Sequence, residues 1–282
     1  MMADDEPPFC ASTHYAKTLM ALALRNWEIA SYAMFVYTAI LPAVLRGLAP
    51  GARGRAFAGS GAGLVVTAAS VLTPSNTFLH GWLLPPLLLL LAYWTSGLLF
   101  TAPMPRAEQA LFQIDRVLQV RAISSAMPRW IAELLELSYA AVYALIPIAL
   151  VLHVRFSAYP DYDRFWTVIL VTDYVCFGML PWIQTRPPRA VEPGDPWRSS
   201  LRGFNLRLLG AASIRVNTFP SGHAAEALAA ALLVSNAPSG VVAWMLLNTL
   251  AVSMGAVLGR YHYAADAFAG WLVAVAVWLV LG

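Results

Sequence analysis

From Trp82 to Phe100 the chain runs through nineteen residues without a single charge. A stretch of that length and composition is satisfied by lipid, because a helix of about 20 apolar residues crosses the hydrocarbon core and bonds its own backbone internally. It is not isolated. Of 282 residues, 59% are hydrophobic and only 12% are charged, and the mean hydropathy is +0.63. Such a composition excludes an ordinary soluble domain and predicts a polytopic, all-α membrane helix bundle.

Apolar segments fall near 28–46, 57–73, 81–101, 131–153, 165–184, 221–237, 241–258 and 263–281. Some are short of a perpendicular span, so six to eight transmembrane helices are expected, with tilt or shallow insertion for the shorter ones. Residues 1–26 read as a tail and 27–282 as the membrane domain, with the motif-bearing core at 131–282. The tail carries Asp4, Asp5 and Glu6 in place of a signal peptide's apolar core. Between the third and fourth segments, Ala107, Ala110, Leu111, Ile114, Val117 and Leu118 recur at helical spacing. That pattern suits a helix in the membrane interface, or equally one packed on the bundle outside it. The connection 185–220 is long, and long connections are often functional.

The chemistry-bearing residues gather at three places. Gln184-Thr-Arg-Pro-Pro-Arg189 closes the fifth segment, Thr218-Phe-Pro-Ser-Gly-His223 opens the sixth, and Gly259-Arg-Tyr-His-Tyr-Ala-Ala-Asp266 opens the eighth. Taken singly, each has a structural explanation: a polar turn, a helix cap, a satisfied buried pair. Counting eight spans puts all three at one membrane surface. Asp266 is placed to hold the imidazole of His262 in one tautomer, leaving the other nitrogen as a nucleophile. His223 can protonate a leaving oxygen. Arg186, Arg189 and Arg260 can bind a phosphate, joined by Ser221 and the amides around Gly222 at a helix start. Glu226, one turn into the sixth segment, can bond a hydroxyl of the substrate or lie idle at the site's mouth. Asp173, inside the fifth segment, is expected to pair with a neighbouring helix or a site arginine. These are parts for covalent phosphoryl transfer. No zinc-type spacing of His and Cys occurs, so neither a metal nor another cofactor is expected.

Pro220-Ser-Gly-His223, His262-Tyr-Ala-Ala-Asp266 with Gly270, and Arg186-Pro187 together resemble the motifs of the type 2 phosphatidic acid phosphatase superfamily. The motif resemblance covers roughly residues 185–282. It implies that His262 attacks phosphorus, Asp266 orients it, His223 protonates the departing group, and Arg186 with Ser221 cradles the phosphoryl oxygens. Two expected cations are missing: Met179 stands where the first motif usually has lysine, and Ala256 where the third has arginine. In that respect the chain resembles the inositol phosphorylceramide and sphingomyelin synthase branch. The resemblance implies a phospholipid or lipid-phosphate substrate. The bilayer is the one partner expected; nothing points to nucleic acid, and oligomeric state is left open.

Hydrolysis of a lipid-linked phosphate is the first expectation, transfer of a phospho-headgroup to a ceramide- or diacylglycerol-like alcohol the second, and non-enzymatic transport of anionic lipid the third. The site side carries 14 of the 18 basic residues, which by the positive-inside rule points to the cytoplasm. The family resemblance points instead to an outer or lumenal face.

Overall fold

The computed structural model describes residues 24–282 apart from Arg215; most of the expected tail lies outside them. Every expected apolar segment forms helix. Helix α1 is Asn26–Val44 and α2 is Pro50–Leu72. A π-helical turn, Leu79–Leu83, runs into α3, Leu84–Gly97. After α4 (Pro105–Val117) and α5 (Val120–Ala126) come α6 (Arg129–Ala140) and α7 (Val142–Phe156). Then follow α8 (Tyr162–Met179), the single turn α9 (Pro188–Val191) and α10 (Arg202–Ala212). The C-terminal three are α11 (Gly222–Leu233), α12 (Ser239–Leu258) and α13 (Ala264–Leu281).

Among the described residues, four helices are long and apolar enough to cross a membrane alone: α1, α2, α12 and α13. The expected segment 131–153 is a helix pair, α6 and α7, bent by 63° at its break; counted as one span it makes a fifth. The other three expected segments also form helices but do not pass on length and composition. In particular α8 carries Asp163, Arg164 and Asp173, and α11 is only 12 residues long.

Those two helices are shielded by the rest. Helix α8 is buried nearly all round, from Phe165 and Trp166 through Ile169 and Leu170 to Phe177, and it packs against α1, α3, α11 and α13. A helix apolar on every face belongs inside. Helix α11 is mostly alanine, with Ala224, Ala225, Ala227 and Ala229 to Ala231 buried. Small side chains let α13 approach it closely, as at helix contacts in membranes. A Cβ added at Gly270 would stand 2.5 Å from the Ser221 carbonyl oxygen, so only glycine fits this crossing.

At the end remote from the histidines, Asp163 accepts the backbone N–H groups of Asn26 and Trp27 and joins the starts of α1 and α8. Helix α4, with the amphipathic spacing noted above, buries Glu108, Leu111 and Asp115 and leaves Ile114 and Val117 exposed. Asp115 accepts the Ala264 N–H at 2.9 Å, which docks α4 on the first turn of α13.

Candidate active site

The connection 185–220 is closed at its base by Thr185 and Asn217. Asn217 donates its backbone N–H to the Thr185 carbonyl at 3.0 Å and its Nδ2 to Thr185 Oγ1 at 2.9 Å. Asn217 also gives Nδ2 to Asp266 Oδ2 at 2.9 Å. One amide, directly before the second motif, therefore ties the start of the first to the aspartate that ends the third. Its role was not evident from the sequence, because an asparagine in a polar loop gives no sign of partners 32 and 49 positions away.

His262 stands just before α13. The chain reverses at Arg260, whose φ of 60° is in the left-handed region usual just past a helix end. Tyr261 and His262 then both donate their N–H to the Ala256 carbonyl. Asp266 is in the first turn of α13, where its Oδ2 accepts the Tyr263 N–H at 2.9 Å as the returning half of a capping box. The expected pair is thus a loop histidine facing a first-turn aspartate. His262 Nδ1 is 3.5 Å from Asp266 Oδ2, longer than a formed hydrogen bond but near enough to tighten around a substrate. Burial, helped by the nearby Arg189 charge, pushes the His262 imidazole down to about 3. At neutral pH the ring is uncharged, as a nucleophile requires.

His223 is the second residue of α11, after a cis Phe219–Pro220 bond and the cap Ser221. Its ring centroid is 5.9 Å from that of His262. Tyr139 stacks on it and Tyr143 meets it edge-on, each at 5.6 Å. These tyrosines, four residues apart, flank the break between α6 and α7. Both histidines open into a cavity of about 420 Å³, with Thr218, Gly222, Arg189 and Glu226 also in its wall. Away from these polar groups the wall is apolar and aromatic, including Leu89, Ile146, Trp82 and Trp166.

The three arginines separate. Arg189 lines the cavity, and its guanidinium carbon is 5.2 Å from the centre of the Tyr261 ring. Arg186 turns away, its Nε and Nη2 donating to the two Glu108 oxygens at 2.9 and 2.8 Å. That guanidinium holds the Glu108 carboxyl below the usual range. Arg260 donates to Glu192 at 2.9 Å and lines a second, charged cavity with Asp115, Arg116 and Arg121. Ser221 is wholly buried, its Oγ accepting the Ala224 N–H at 3.4 Å; its N–H meets the Asp266 carbonyl oxygen at 2.9 Å. It joins α11 to α13 and does not line the cavity, where Thr218 and Gly222 stand instead. Asp173 has neither expected partner. It lines the cavity beside Gly222.

A buried scaffold holds the His262 loop from behind. Glu136 on α6 accepts from Tyr261 Oη at 2.6 Å, Trp197 Nε1 at 2.9 Å and Arg202 Nη1 at 3.1 Å. Arg202 also donates to the Gly259 carbonyl at 3.0 Å, and Tyr261 lies flat on Tyr139 at 4.2 Å. Among the described residues, no group of three or more His, Cys, Asp or Glu side chains is arranged to hold a metal ion.

The sequence profile of the PAP2 superfamily matches residues 106–280, well over half the chain and including both histidines, Asp266 and the three arginines. The chain belongs to the PAP2 superfamily. Its members are phosphatases or phosphotransferases, and the apolar helices agree with an integral membrane member. The match begins in α4, so the PAP2 region takes in Glu108 and Asp115 as well as the histidine motifs. Neither a curated protein nor a solved structure matches this PAP2 chain.

Proposed function

We propose that this protein is a lipid phosphatase that hydrolyses a lipid-linked phosphate through a phosphohistidine on His262. One observation carries the reading: His262 and His223 stand 5.9 Å apart, centroid to centroid, in the wall of a mainly apolar cavity that also receives Arg189. A phosphorus between the rings is within reach of both. His262 is the ring with a carboxyl group behind Nδ1, so its Nε2 attacks phosphorus while the bond to the lipid oxygen breaks. His223, delivering a proton, lets that oxygen leave as the alcohol. Water then attacks the phosphohistidine and returns His262 with release of inorganic phosphate; His223 takes the proton from that water, which restores it for the next cycle. Arg189 stabilises the charge on the non-bridging oxygens.

A second reading, transfer of the phosphoryl group to a lipid alcohol, is favoured by the apolar wall, which suits a hydrocarbon-bearing acceptor better than water. The two share every step up to the phosphohistidine.

The test uses purified protein in detergent with a chelator present. Lipid phosphates are supplied with and without ceramide or diacylglycerol, and free phosphate and new lipids are both followed. Free phosphate supports hydrolysis; a new phospholipid that forms only with added alcohol supports transfer. His262→Ala lowers turnover on the order of 10³-fold or more, and His223→Ala about 10²- to 10⁴-fold. Turnover retained in both folded variants sinks the mechanism.

A further inference from the structure

Two carboxylates in the cavity have no task in the reaction just described. Glu226 lies three residues beyond His223 on α11, and Asp173 reaches the same cavity from α8. Asp173 is completely buried, and neither of its carboxylate oxygens has a hydrogen-bond donor. It stands against α11, where a Cβ at Gly222 would be 3.3 Å from its Oδ1. Other buried acids of this chain are paired: Glu28 with Ser70 and Arg25, Glu108 with Arg186, Glu136 with Arg202, Asp115 with the Ala264 amide. A buried carboxylate without a donor is expensive, so Asp173 marks a place where a ligand supplies the donor. The wall of the same cavity is aromatic in part, with Trp82, Tyr93, Tyr143 and Trp166.

We propose that Asp173 and Glu226 bind the ammonium group of a substrate whose amino nitrogen is two carbons from its phosphate oxygen. The proposal rests on the histidine reading for the position of the phosphate. Sign and surroundings select the ligand: paired carboxylates attract a cation, and aromatic walls favour an ammonium over a neutral polyol. Spacing selects its length. His223 and Glu226 are neighbours on one helix face, roughly 5–6 Å apart at Cβ, a gap that an O–C–C bridge between phosphorus and nitrogen fills. The same aminoethyl phosphate unit has two sources. It is the headgroup of an ethanolamine phospholipid, or it is the polar end of a long-chain 2-amino alcohol 1-phosphate, where the amine belongs to the lipid itself.

Two matched pairs separate them. The first is dioctanoyl phosphatidylethanolamine against dioctanoyl phosphatidylglycerol. The second is a long-chain 2-amino alcohol 1-phosphate against its N-acetyl form. In one pair the amine is expected to raise kcat/KM by about tenfold or more, the order of a desolvated cation–aromatic contact joined to a charge pair. Asp173→Asn and Glu226→Gln should each return that ratio towards one. A preference confined to the first pair assigns the headgroup, and one confined to the second assigns the lipid amine. No preference in either pair, or a preference that survives both substitutions, overturns the proposal. Binding is read separately in His262→Ala by the fluorescence of the cavity tryptophans, using the same four lipids. Tighter binding of an amine than of its neutral partner supports the cation site whether or not the wild type turns over; equal binding overturns it. Retained turnover in His262→Ala sinks the histidine mechanism alone, so the two failures are distinguishable.

Discussion

Two clusters of buried polar side chains flank Tyr261, and they are built on opposite plans. Behind it, Glu136, Arg202, Trp197 and Asn205 are joined to one another and to the loop by hydrogen bonds, and of their buried side-chain atoms Asn205 Oδ1 alone has no partner. In front, the cavity brings His223, His262, Asp173 and Glu226 together, yet His262 Nδ1 and both Asp173 oxygens have no hydrogen-bond partner. Satisfied networks fix a structure, because each group has one place to be. Unsatisfied buried groups persist where something else is to be bound. The contrast assigns the rear cluster to holding the His262 loop and the front cluster to chemistry.

The sharpest way to break that division is to cut the rear network. Glu136→Ala leaves the Arg202 guanidinium, 6% exposed as a side chain, without its buried partner, and removing one member of a buried pair costs about 3–5 kcal/mol. Denaturation in a mild detergent measures it. A loss below about 1 kcal/mol, the range of an exposed pair, would show that the rear cluster is not structural. Tyr261→Phe is the gentler cut. It removes the 2.6 Å bond to Glu136, worth about 1.5–3 kcal/mol for a charged acceptor, while the ring stays on Tyr139. Its kcat should fall with KM little changed, since it acts on the loop that carries His262.

A cut between the clusters comes next. Gly270→Ala drives a methyl against the Ser221 carbonyl and the Ala225 nitrogen, 2.5 and 3.2 Å from the ideal Cβ. Backbone cannot yield as a flexible side chain does, so α13 must shift from α11 at a cost of about 1–3 kcal/mol. Because Ser221 and Asp266 share a hydrogen bond at this crossing, turnover should fall with stability. Activity unchanged in a destabilised protein would separate packing from site geometry.

How far this division was legible in the sequence depended on the range of each interaction. The helices came from charge-poor runs, a local property, and all eight expected segments form helices. The motif residues were equally plain, because their spacing is short. The destinations of the arginines were not. Arg186 is held by Glu108, 78 positions away, and Arg202 by Glu136, 66 away; no local pattern announces such pairs. The break at Ala141 was also hidden, since the composition of 131–153 is as apolar as that of a straight span. Asp173 was visible as an acid within a span, but a pairing was expected where the cavity leaves it alone.

Acid gives a smaller and more general test. His262 is held down to about 3 in the folded protein, against an ordinary 6.5. Between those values the unfolded chain takes up a proton that the folded one refuses, so stability rises with pH there and falls as the solution is acidified below 6.5. At pH 5.5 that single group costs about 1.4 kcal/mol relative to neutral solution. His262→Asn should flatten the acid limb of the stability curve by about that amount. An unchanged limb would mean that His262 is protonated in the folded state, and the neutral nucleophile would be lost with it.

The smallest expected effect tests the front cluster most directly. Asp173→Asn preserves shape at a buried carboxyl group that has no hydrogen-bond partner. No bond is lost, and one unsatisfied buried polar group is exchanged for another of similar desolvation cost. The change in stability should therefore be within about 1 kcal/mol, with either sign allowed, against the about 3–5 kcal/mol expected for Glu136→Ala. Both acids are buried to the same degree, so burial cannot produce the difference; Glu136→Gln, which like Asp173→Asn keeps the shape, isolates the part that comes from partners. If Asp173→Asn destabilises the protein as much as Glu136→Ala does, Asp173 has a structural partner after all, and the division between scaffold and site moves from Tyr261 to the far wall of the cavity.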